Sequence, residues 1–287
     1  MRSFLIVFIL NFLTSIVYGQ DNSTFFVKNK GQWKSSALAK ADLPSGALFL
    51  EDDALVFNFI DQSKINSIHD SLQIQDQIGA HSFRWKFIKS KAKEVVFSDQ
   101  LGGTINYYNS KNTASNLSRF HKATYKEIYS NIDYQMYGFG DGLKYDWIVR
   151  PGGKAKNIQM ELFGVKDVSI KDGRLHITTL VNYVLEEKPY AYQMIDGKKQ
   201  EVKCAFVWQK NRLSFSFPEG YDKEKELVID PIIVFSTFSG STANNFGFTA
   251  TYDDYGFLYA GGVAFNVGYP TTLGAYEVNY SGGILGA

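Results

Sequence analysis

Hydrophobic and polar residues alternate with a period of two through most of the chain after residue 24. No stretch sustains the 3.6-residue period of an amphipathic helix. In one run Phe83, Trp85 and Phe87 alternate with Arg84 and Lys86. A second run has the same pattern, and its apolar positions are Leu143, Tyr145, Trp147 and Val149. Alternation of this kind is typical of antiparallel strands that bury one face, so the pattern predicts an all-β fold.

Short turn signals separate the alternating runs. Asp172-Gly173 and Asp196-Gly197 favour the positive φ angles of tight hairpins, and Lys210-Asn211 divides two further runs. The segment GFGDG at 138–142 connects two strands rather than a strand and a helix, so it predicts a hairpin turn and not a phosphate-binding loop. Residues 129–217 are therefore predicted to form an antiparallel meander within a sandwich-like N-terminal domain.

Two polar segments interrupt this pattern. Residues 61–80 predict a long loop between strands that end near Ile60 and begin near Ser82, and residues 109–119 predict a second exposed loop. Pro231 cannot donate a hydrogen bond to a sheet, so a strand stops there or lies at an edge. The predicted N-terminal domain covers residues 20–231.

From residue 232 onward Gly, Ser, Thr and aromatic residues crowd together. Two short runs, FGFTATY and GFLYAGG, flank a turn that begins at Asp253-Asp254, and they predict a hairpin. This texture is typical of a propeller blade, which places four short strands in about 40–45 residues. Residues 232–287 amount to about one blade, and a closed propeller needs at least about four. We therefore expect this chain to be a piece of a longer protein with further repeats.

The N-terminus has the pattern of a secretory signal peptide. Arg2 precedes an apolar run at 4–13, and Val17 and Gly19 are small enough for a cleavage site before Gln20. An uncleaved membrane anchor is the alternative, but it needs about 20 apolar residues. Residues 1–19 are thus predicted to be a signal peptide, and no later segment is apolar enough to cross a membrane. We expect an exported protein, secreted or on the cell surface, or periplasmic if the chain ends at residue 287.

The amino-acid composition limits the classes of partner that the chain is expected to bind. The chain is 45% hydrophobic, and its 30 Lys and Arg residues nearly equal its 29 Asp and Glu residues. A balanced charge without basic clusters gives no support to a nucleic-acid partner, whose phosphates need a positive face. Cys204, the single cysteine, rules out an intrachain disulfide. It alternates with Val202 and Phe206, which predicts a buried, inert thiol on the inner face of a strand.

No established catalytic motif is present. The sequence contains neither a G-x-S-x-G elbow nor a P-loop, and its four histidines are scattered, with no H-E-x-x-H pair. Asp133, Asp141 and Asp146 could converge as the carboxylates that glycoside hydrolysis needs, although Asp141 in a turn and Asp146 on the wet face is the simpler interpretation. We predict no catalytic residue, no metal site and no cofactor.

Three further side chains are weak candidates for binding a metal ion or a sugar. Asp253 and Asp254 could offer oxygens to Ca²⁺, but adjacent side chains of a strand point to opposite faces, and a turn-forming role suffices. Trp33 follows Gly31 and Gln32 in a loop and could stack on a sugar ring or fill the core. The other three tryptophans lie on the apolar side of their strands and are predicted to be in the core, namely Trp85, Trp147 and Trp208.

Several motifs resemble a known family. FSTFSGS, DDYGFLYAGG and YPTTLGAY resemble the SBBP (β-propeller) repeat of large exported bacterial proteins, although Asn244 and Asn245 stand where that repeat usually has an acidic residue. NKGQW, YSNIDYQMYG and GLKYDWIVRPGG resemble the domain that precedes those repeats in Bacteroidetes surface proteins. The resemblance covers roughly residues 25–280. It implies an exported protein associated with gliding motility and type IX secretion, with no established catalytic residues.

These observations favour a non-enzymatic exported binding or scaffold protein, which could act in adhesion or surface motility. Its partner would be an extracellular polymer or a protein surface. The alternative is a secreted carbohydrate-binding or carbohydrate-active protein that uses surface aromatics and the aspartates. A spacer domain without a ligand is a third possibility that the sequence leaves open.

Overall fold

A computed structural model of the chain describes residues 24–33, 36–43, 45–61, 78–108, 113–139, 142–236, 244–252 and 258–265. The described residues form strands, with one short 3₁₀ turn at Ala155–Asn157 and no α-helix. The strands are, in chain order, β1 Phe26–Lys28, β2 Ala39–Leu43, β3 Gly46–Leu50, β4 Ala54–Ile60, β5 Ala80–Phe87, β6 Glu94–Tyr108, β7 Thr113–Tyr129, β8 Ile132–Phe139, β9 Gly142–Val149, β10 Met160–Phe163, β11 Asp167–Lys171, β12 Arg174–Thr178, β13 Tyr183–Glu186, β14 Tyr190–Ile195, β15 Lys198–Val202, β16 Ala205–Gln209, β17 Arg212–Ser216, β18 Leu227–Asp230, β19 Ile232–Ser236, β20 Asn244–Tyr252 and β21 Leu258–Phe265. The all-β prediction is confirmed.

Strands β1 to β19 form one antiparallel sheet with two arms. The first arm runs β16, β17, β10, β5, β4, β3, β2 and β1, each strand paired with the next. The second arm runs β6, β7, β8 and β9 and continues into β18 and β19. The arms join where β1 pairs with β7, with Phe26 opposite Phe120.

Aromatic side chains from both arms meet in one core. The ring of Phe87 on β5 lies 5.0 Å from that of Tyr134 on β8 and 5.7 Å from that of Trp147 on β9, centroid to centroid. Trp85 and Tyr145 meet edge to face at 6.4 Å. Burial of each such side chain contributes about 1.5–3 kcal/mol, so this contact between the arms is a main source of stability.

The three predicted hairpin turns are confirmed. Asp172-Gly173 joins β11 to β12, Asp196-Gly197 joins β14 to β15, and Lys210-Asn211 joins β16 to β17. In each turn both central residues have positive φ, the geometry that matches the twist of the flanking strands. The turn near 138–142 likewise connects two neighbouring strands, because β8 and β9 pair up to Phe139 opposite Gly142.

The single meander predicted for residues 129–217 is wrong. These strands are antiparallel, but β10 pairs with β5 and β17 rather than with its chain neighbours β9 and β11. The hairpin β16–β17 belongs to the first arm, whereas the hairpin β14–β15 joins the second arm, because β14 pairs with β18. Alternation shows which face of a strand is buried but does not show which strand lies beside it, so local patterns cannot give this order.

The loop predicted at 109–119 is also wrong over most of its length, because β7 begins at Thr113. Residues 113–118 pair with β6 in a two-stranded extension of the sheet whose mostly polar side chains resemble a loop in sequence. The ends predicted for the 61–80 loop are close to those observed, since β4 ends at Ile60 and β5 begins at Ala80. Residues 62–77 and the predicted signal peptide 1–19 lie outside the described residues.

Cys204 does not lie in a strand. It falls between β15 and β16, which leave for different arms, so the predicted continuous strand through Val202 and Phe206 is wrong. The thiol is partly buried and packs against the core. Burial raises the pKa of Cys204 to about 12, which keeps the thiol protonated and weakly reactive at neutral pH.

Pro231 ends β18, yet the sheet continues beyond it. The pairing register along β9 is the same before and after the proline, from Leu227 opposite Val149 to Ile233 opposite Leu143. β19 also pairs with β13, so the large sheet extends to Ser236, five residues past the predicted domain boundary. β20 pairs antiparallel with β21, as the hairpin prediction requires.

Among the described residues, no helix has the length and apolar character needed to cross a membrane.

Candidate functional site

Five side chains cluster on the outer face of the second arm, and we call them the tyrosine–aspartate patch. Their strands alternate strictly, so Tyr145 and Trp147 enter the core while Asp146 between them points outward. The same alternation directs the other patch residues to the outer face of β8, β14 and β18. The members of the patch are Tyr137, Asp146, Tyr190, Tyr192 and Asp230.

Two carboxylates face each other at the centre of the patch. The unbroken register of β18 and β19 along β9 sets Asp230 directly opposite Asp146. Side chains in such positions have Cβ atoms about 4.5–5.5 Å apart, and like charges there destabilise the sheet. Asp230 Oδ1 is shielded from solvent and accepts no hydrogen bond from the described residues, while Lys144 Nζ lies 4.0 Å away.

Burial and the nearby carboxylate of Asp230 perturb the titration of Asp146. Burial, with a further contribution from the charge of Asp230, raises the pKa of Asp146 to about 6. The Tyr137 hydroxyl, which donates a long 3.5 Å hydrogen bond to Asp146 Oδ1, and the Lys144 ammonium oppose this shift. Asp146 therefore exchanges its proton close to neutral pH, a property that is common at functional sites.

Tyrosine rings border the carboxylates on both sides. Tyr190, opposite Asp230 in the register, is partly exposed, and its ring lies 5.8 Å from that of Tyr192. The ammonium of Lys199 lies 3.7 Å from the centroid of the Tyr192 ring. Flat rings beside hydrogen-bond acceptors can bind a ligand that has both C–H faces and hydroxyl groups, which is the character of a sugar.

Asp133 does not join this patch, although it lies on β8 four residues before Tyr137. It is fully buried and bound to Arg150 through both oxygens, with Nη1–Oδ1 at 3.2 Å and Nη2–Oδ2 at 2.5 Å. The backbone N–H of Glu127 and the ammonium of Lys126 complete its partners. Burial alone would raise the pKa of Asp133, but these hydrogen bonds outweigh it and lower the pKa. Asp133 is thus a structural ion pair.

Of the three aspartates that the sequence suggested as a carboxylate set, the structure places one in the patch. Asp146 is a member, Asp133 is engaged elsewhere, and Asp141 lies outside the described residues, as do the calcium candidates Asp253 and Asp254. Sequence reasoning missed Asp230, because only the strand order brings it to Asp146. The alternation Leu227, Ile229 inward with Asp230 outward was the one available signal.

Trp33, the candidate for sugar stacking, is half buried under other aromatic side chains. Its ring meets Tyr107 edge to face at 5.3 Å and Phe49 at 6.0 Å. The preceding turn is held by Asn29, whose side-chain amide donates to the backbone oxygens of Trp33 and Ala37. This geometry favours a packing role, and Trp33 is less exposed than Tyr190.

The structure also locates the other three tryptophans and the groups that could bind a metal. Trp85 and Trp147 are fully buried, and Trp208 is partly buried against the core. Within the described ranges, no group of three or more His, Cys, Asp or Glu side chains comes together as a possible metal site. The candidate site in the described part of the chain is the tyrosine–aspartate patch on the outer face of the sheet.

Comparison with known proteins gives one match. A family model described as a domain of unknown function (DUF7948) matches residues 26–232, which is most of the chain. No curated protein and no solved structure matches it. The matched range includes every residue of the tyrosine–aspartate patch.

Proposed function

The chain belongs to the DUF7948 family, and from that premise we propose that it is a non-enzymatic, exported binding or scaffold module of the cell surface. The observation that carries this proposal is the place of the candidate site on the outer face of the sheet, where Tyr190 is exposed. Catalytic sites for hydrolysis or group transfer usually enclose the reacting atoms and exclude water. An outer sheet face that carries tyrosines and carboxylates suits recognition of a surface or polymer.

The first test of this proposal concerns cleavage of the signal peptide and export of the protein. The apolar run at 4–13 and the small residues before Gln20 support cleavage of a signal peptide. Intact-mass measurement of the protein recovered from its native host is expected to give an N-terminus at Gln20. Protease treatment of whole cells should then degrade the protein if it is on the surface, and recovery of an uncleaved, protected chain would contradict export.

Binding is tested with the purified mature chain. Pull-down of cells and of extracellular polymers from the same host should retain the chain, and the double variant Tyr190→Ala, Asp230→Asn should be retained less. The matched control is Tyr183→Ala with Asp167→Asn, which makes the same changes on other strands. Absence of retention by every surface and polymer would contradict the proposal.

The second candidate function is carbohydrate binding or cleavage, and the patch itself favours it. Sugar hydroxyls can donate to Asp146 and Asp230, and the ring of Tyr190 offers a stacking face. A glycan array identifies binding, and a reducing-sugar assay detects cleavage. Binding without cleavage supports a lectin-like module, whereas cleavage that Asp146→Asn abolishes would identify an enzyme and overturn the non-enzymatic proposal.

Residues 232–287 are proposed to be the first blade of a propeller of SBBP-type repeats, presented by the sheet in a gliding-associated surface protein of the Bacteroidetes type. The antiparallel β20–β21 hairpin supports this arrangement, while β19 pairs with β9 and β13, so the blade itself would begin after Ser236. DNA sequence beyond codon 287 provides the test. An in-frame series of repeats of about 40–45 residues is expected, and a stop codon would contradict the propeller.

A further inference from the structure

A small pocket of about 160 Å³ lies where the first strand leaves the core and crosses β7. Phe26 enters the core opposite Phe120, and the chain then continues outward through Lys28 and the turn at Lys30. The pocket is remote in the strand order from the tyrosine–aspartate patch, and it has the opposite charge. Its lining residues are Lys28, Lys30, Leu117, Ser118 and Phe120.

The two lysines have no acidic partner among the described residues. The ammonium of Lys28 instead lies over two aromatic rings, 4.9 Å from the centroid of Phe97 and 5.0 Å from that of Phe120. A cation over a ring face keeps its charge available to an incoming anion, because the ring supplies no competing acceptor. The acid on the neighbouring strand, Asp99, is paired with Lys122 at 3.1 Å.

The rest of the lining selects the kind of anion. Phe120 and Leu117 provide an apolar wall, and Ser118 adds a hydroxyl that can donate or accept. A bare inorganic anion would use the ammonium groups and leave the apolar wall in contact with water. A sugar ring with a carboxylate can use all three features. Its carboxylate draws the Lys28 ammonium away from the Phe120 ring, its C–H groups then contact that ring, and its hydroxyls reach Ser118.

We propose that this pocket binds an acidic sugar residue of a polysaccharide, with its carboxylate on Lys28 and Lys30 and its ring on Phe120. This inference goes beyond the proposed function, because the chemistry of the pocket is independent of the patch and of where the protein is delivered. Lysines act here as flexible point charges, which suits a polymer whose carboxylates vary in position.

The test is isothermal titration calorimetry of the full mature chain with a short oligogalacturonate at low ionic strength. The charged oligomer is expected to bind, and its affinity should fall steeply with added salt. The methyl-esterified oligomer keeps the ring and loses the charge, so it should bind at least about tenfold more weakly. Equal binding of the ester would overturn the proposal.

Variants then locate the binding. The double substitution Lys28→Gln, Lys30→Gln changes two exposed side chains and should weaken binding about tenfold or more. The single variant Lys28→Arg keeps the positive charge and should keep the affinity. Lys203→Gln on a distant loop is the matched control and should change nothing. Unchanged affinity in the double variant, absence of any binding, or tighter binding of inorganic polyphosphate than of the sugar acid would each overturn the proposal.

Discussion

Glu186 places a carboxyl group inside the core, next to the hydroxyl of Tyr145, which donates to its Oε2 at 2.9 Å. Its Oε1 accepts no hydrogen bond from the described residues. Burial raises the pKa of Glu186 to about 8, and the bond from Tyr145 opposes this only in part. The side chain is therefore a neutral acid at pH 7, which avoids the cost of an unpaired buried charge.

This buried acid predicts that the protein loses stability as the pH rises from about 5 to about 8. A pKa raised from 4.5 to about 8 means that the folded state holds the proton more tightly than the unfolded state. The resulting stability is fully present below pH 4.5 and is lost as the pH rises to about 8. The loss is about 1.4 kcal/mol for each unit of the shift. Denaturant unfolding between pH 5 and 9 measures it.

Substitution isolates this effect. Glu186→Gln is expected to remove the decline between pH 7 and 8, a range above the titration of Asp146. Glu187→Gln changes the next residue, whose carboxylate pairs with Arg174 at the surface, and should leave the decline in place. A decline that persists in Glu186→Gln would contradict the assignment.

Because Asp146 and Asp230 face each other, we predict that the variant Asp146→Asn is more stable than the original protein and binds the ligand of the patch more weakly. Asp146→Asn removes both the repulsion from Asp230 and the cost of burying a charge, so the free energy of unfolding at pH 8 should rise by roughly 1 kcal/mol. Asp167→Asn on the exposed β11 is the control and should have no effect. Destabilisation by Asp146→Asn would mean that this carboxylate serves the fold rather than a ligand.

At the scale of strands, Gly138 allows β8 to pass close to the chain before β1. A Cβ atom at this position would overlap the backbone oxygen of Thr24. Gly138→Ala should therefore lower the free energy of unfolding by roughly 1–3 kcal/mol, because two backbones would have to separate. Gly102→Ala adds the same methyl where no atom lies within 4 Å. Thermal unfolding should detect no loss there, and equal losses would contradict this account.

The β16–β17 turn predicts a stabilising change. Lys210 and Asn211 adopt φ angles of 51° and 59°, a conformation in which lysine is strained and Asn-Gly is favoured. The pair Lys210→Asn, Asn211→Gly should raise the free energy of unfolding by about 0.5–1 kcal/mol. Lys210→Gln alters only the charge and should be neutral. If the double variant were no more stable, the turn would contribute no measurable strain.

For the whole molecule, the position of β19 predicts where the first folded unit ends. Ile233 is buried and pairs with both β9 and β13, so a chain of residues 20–231 lacks part of the core. It should be less stable than residues 20–236 by about 2–5 kcal/mol. In the full chain, hydrogen exchange should show stronger protection at 232–236 than at 244–265. Equal stability of the two truncated chains would place the boundary at Pro231.

Much of the fold could be predicted from local patterns. The buried side of β5 and β9, the three tight turns and the ends of β4 and β18 follow from alternation and from turn residues, which act within a few positions. The exposed arm of β6 and β7 could not, because its polar residues lack an inner face to reveal a strand. Cys204 was misplaced because alternation continued across a break between two strands.

The candidate site shows the same division. Asp146 could be proposed from its place between Tyr145 and Trp147, but its partner Asp230 could not, since 84 positions separate them along the chain. The positions of Tyr190 and Tyr192 beside these acids also depend on the pairing of β14 with β18. Asp133 was a reasonable candidate by sequence, and only the structure reveals that Arg150 binds it.

The sequence by itself determined the all-β class, the buried side of its strands and the positions of tight turns, because these depend on side-chain period and local backbone preference. Only the tertiary structure decided which strands are neighbours, and hence that Asp146 faces Asp230 and that Lys28 and Lys30 share a pocket with Phe120. Strand order arises from how whole faces pack together, and no short-range pattern in a chain of this kind encodes it.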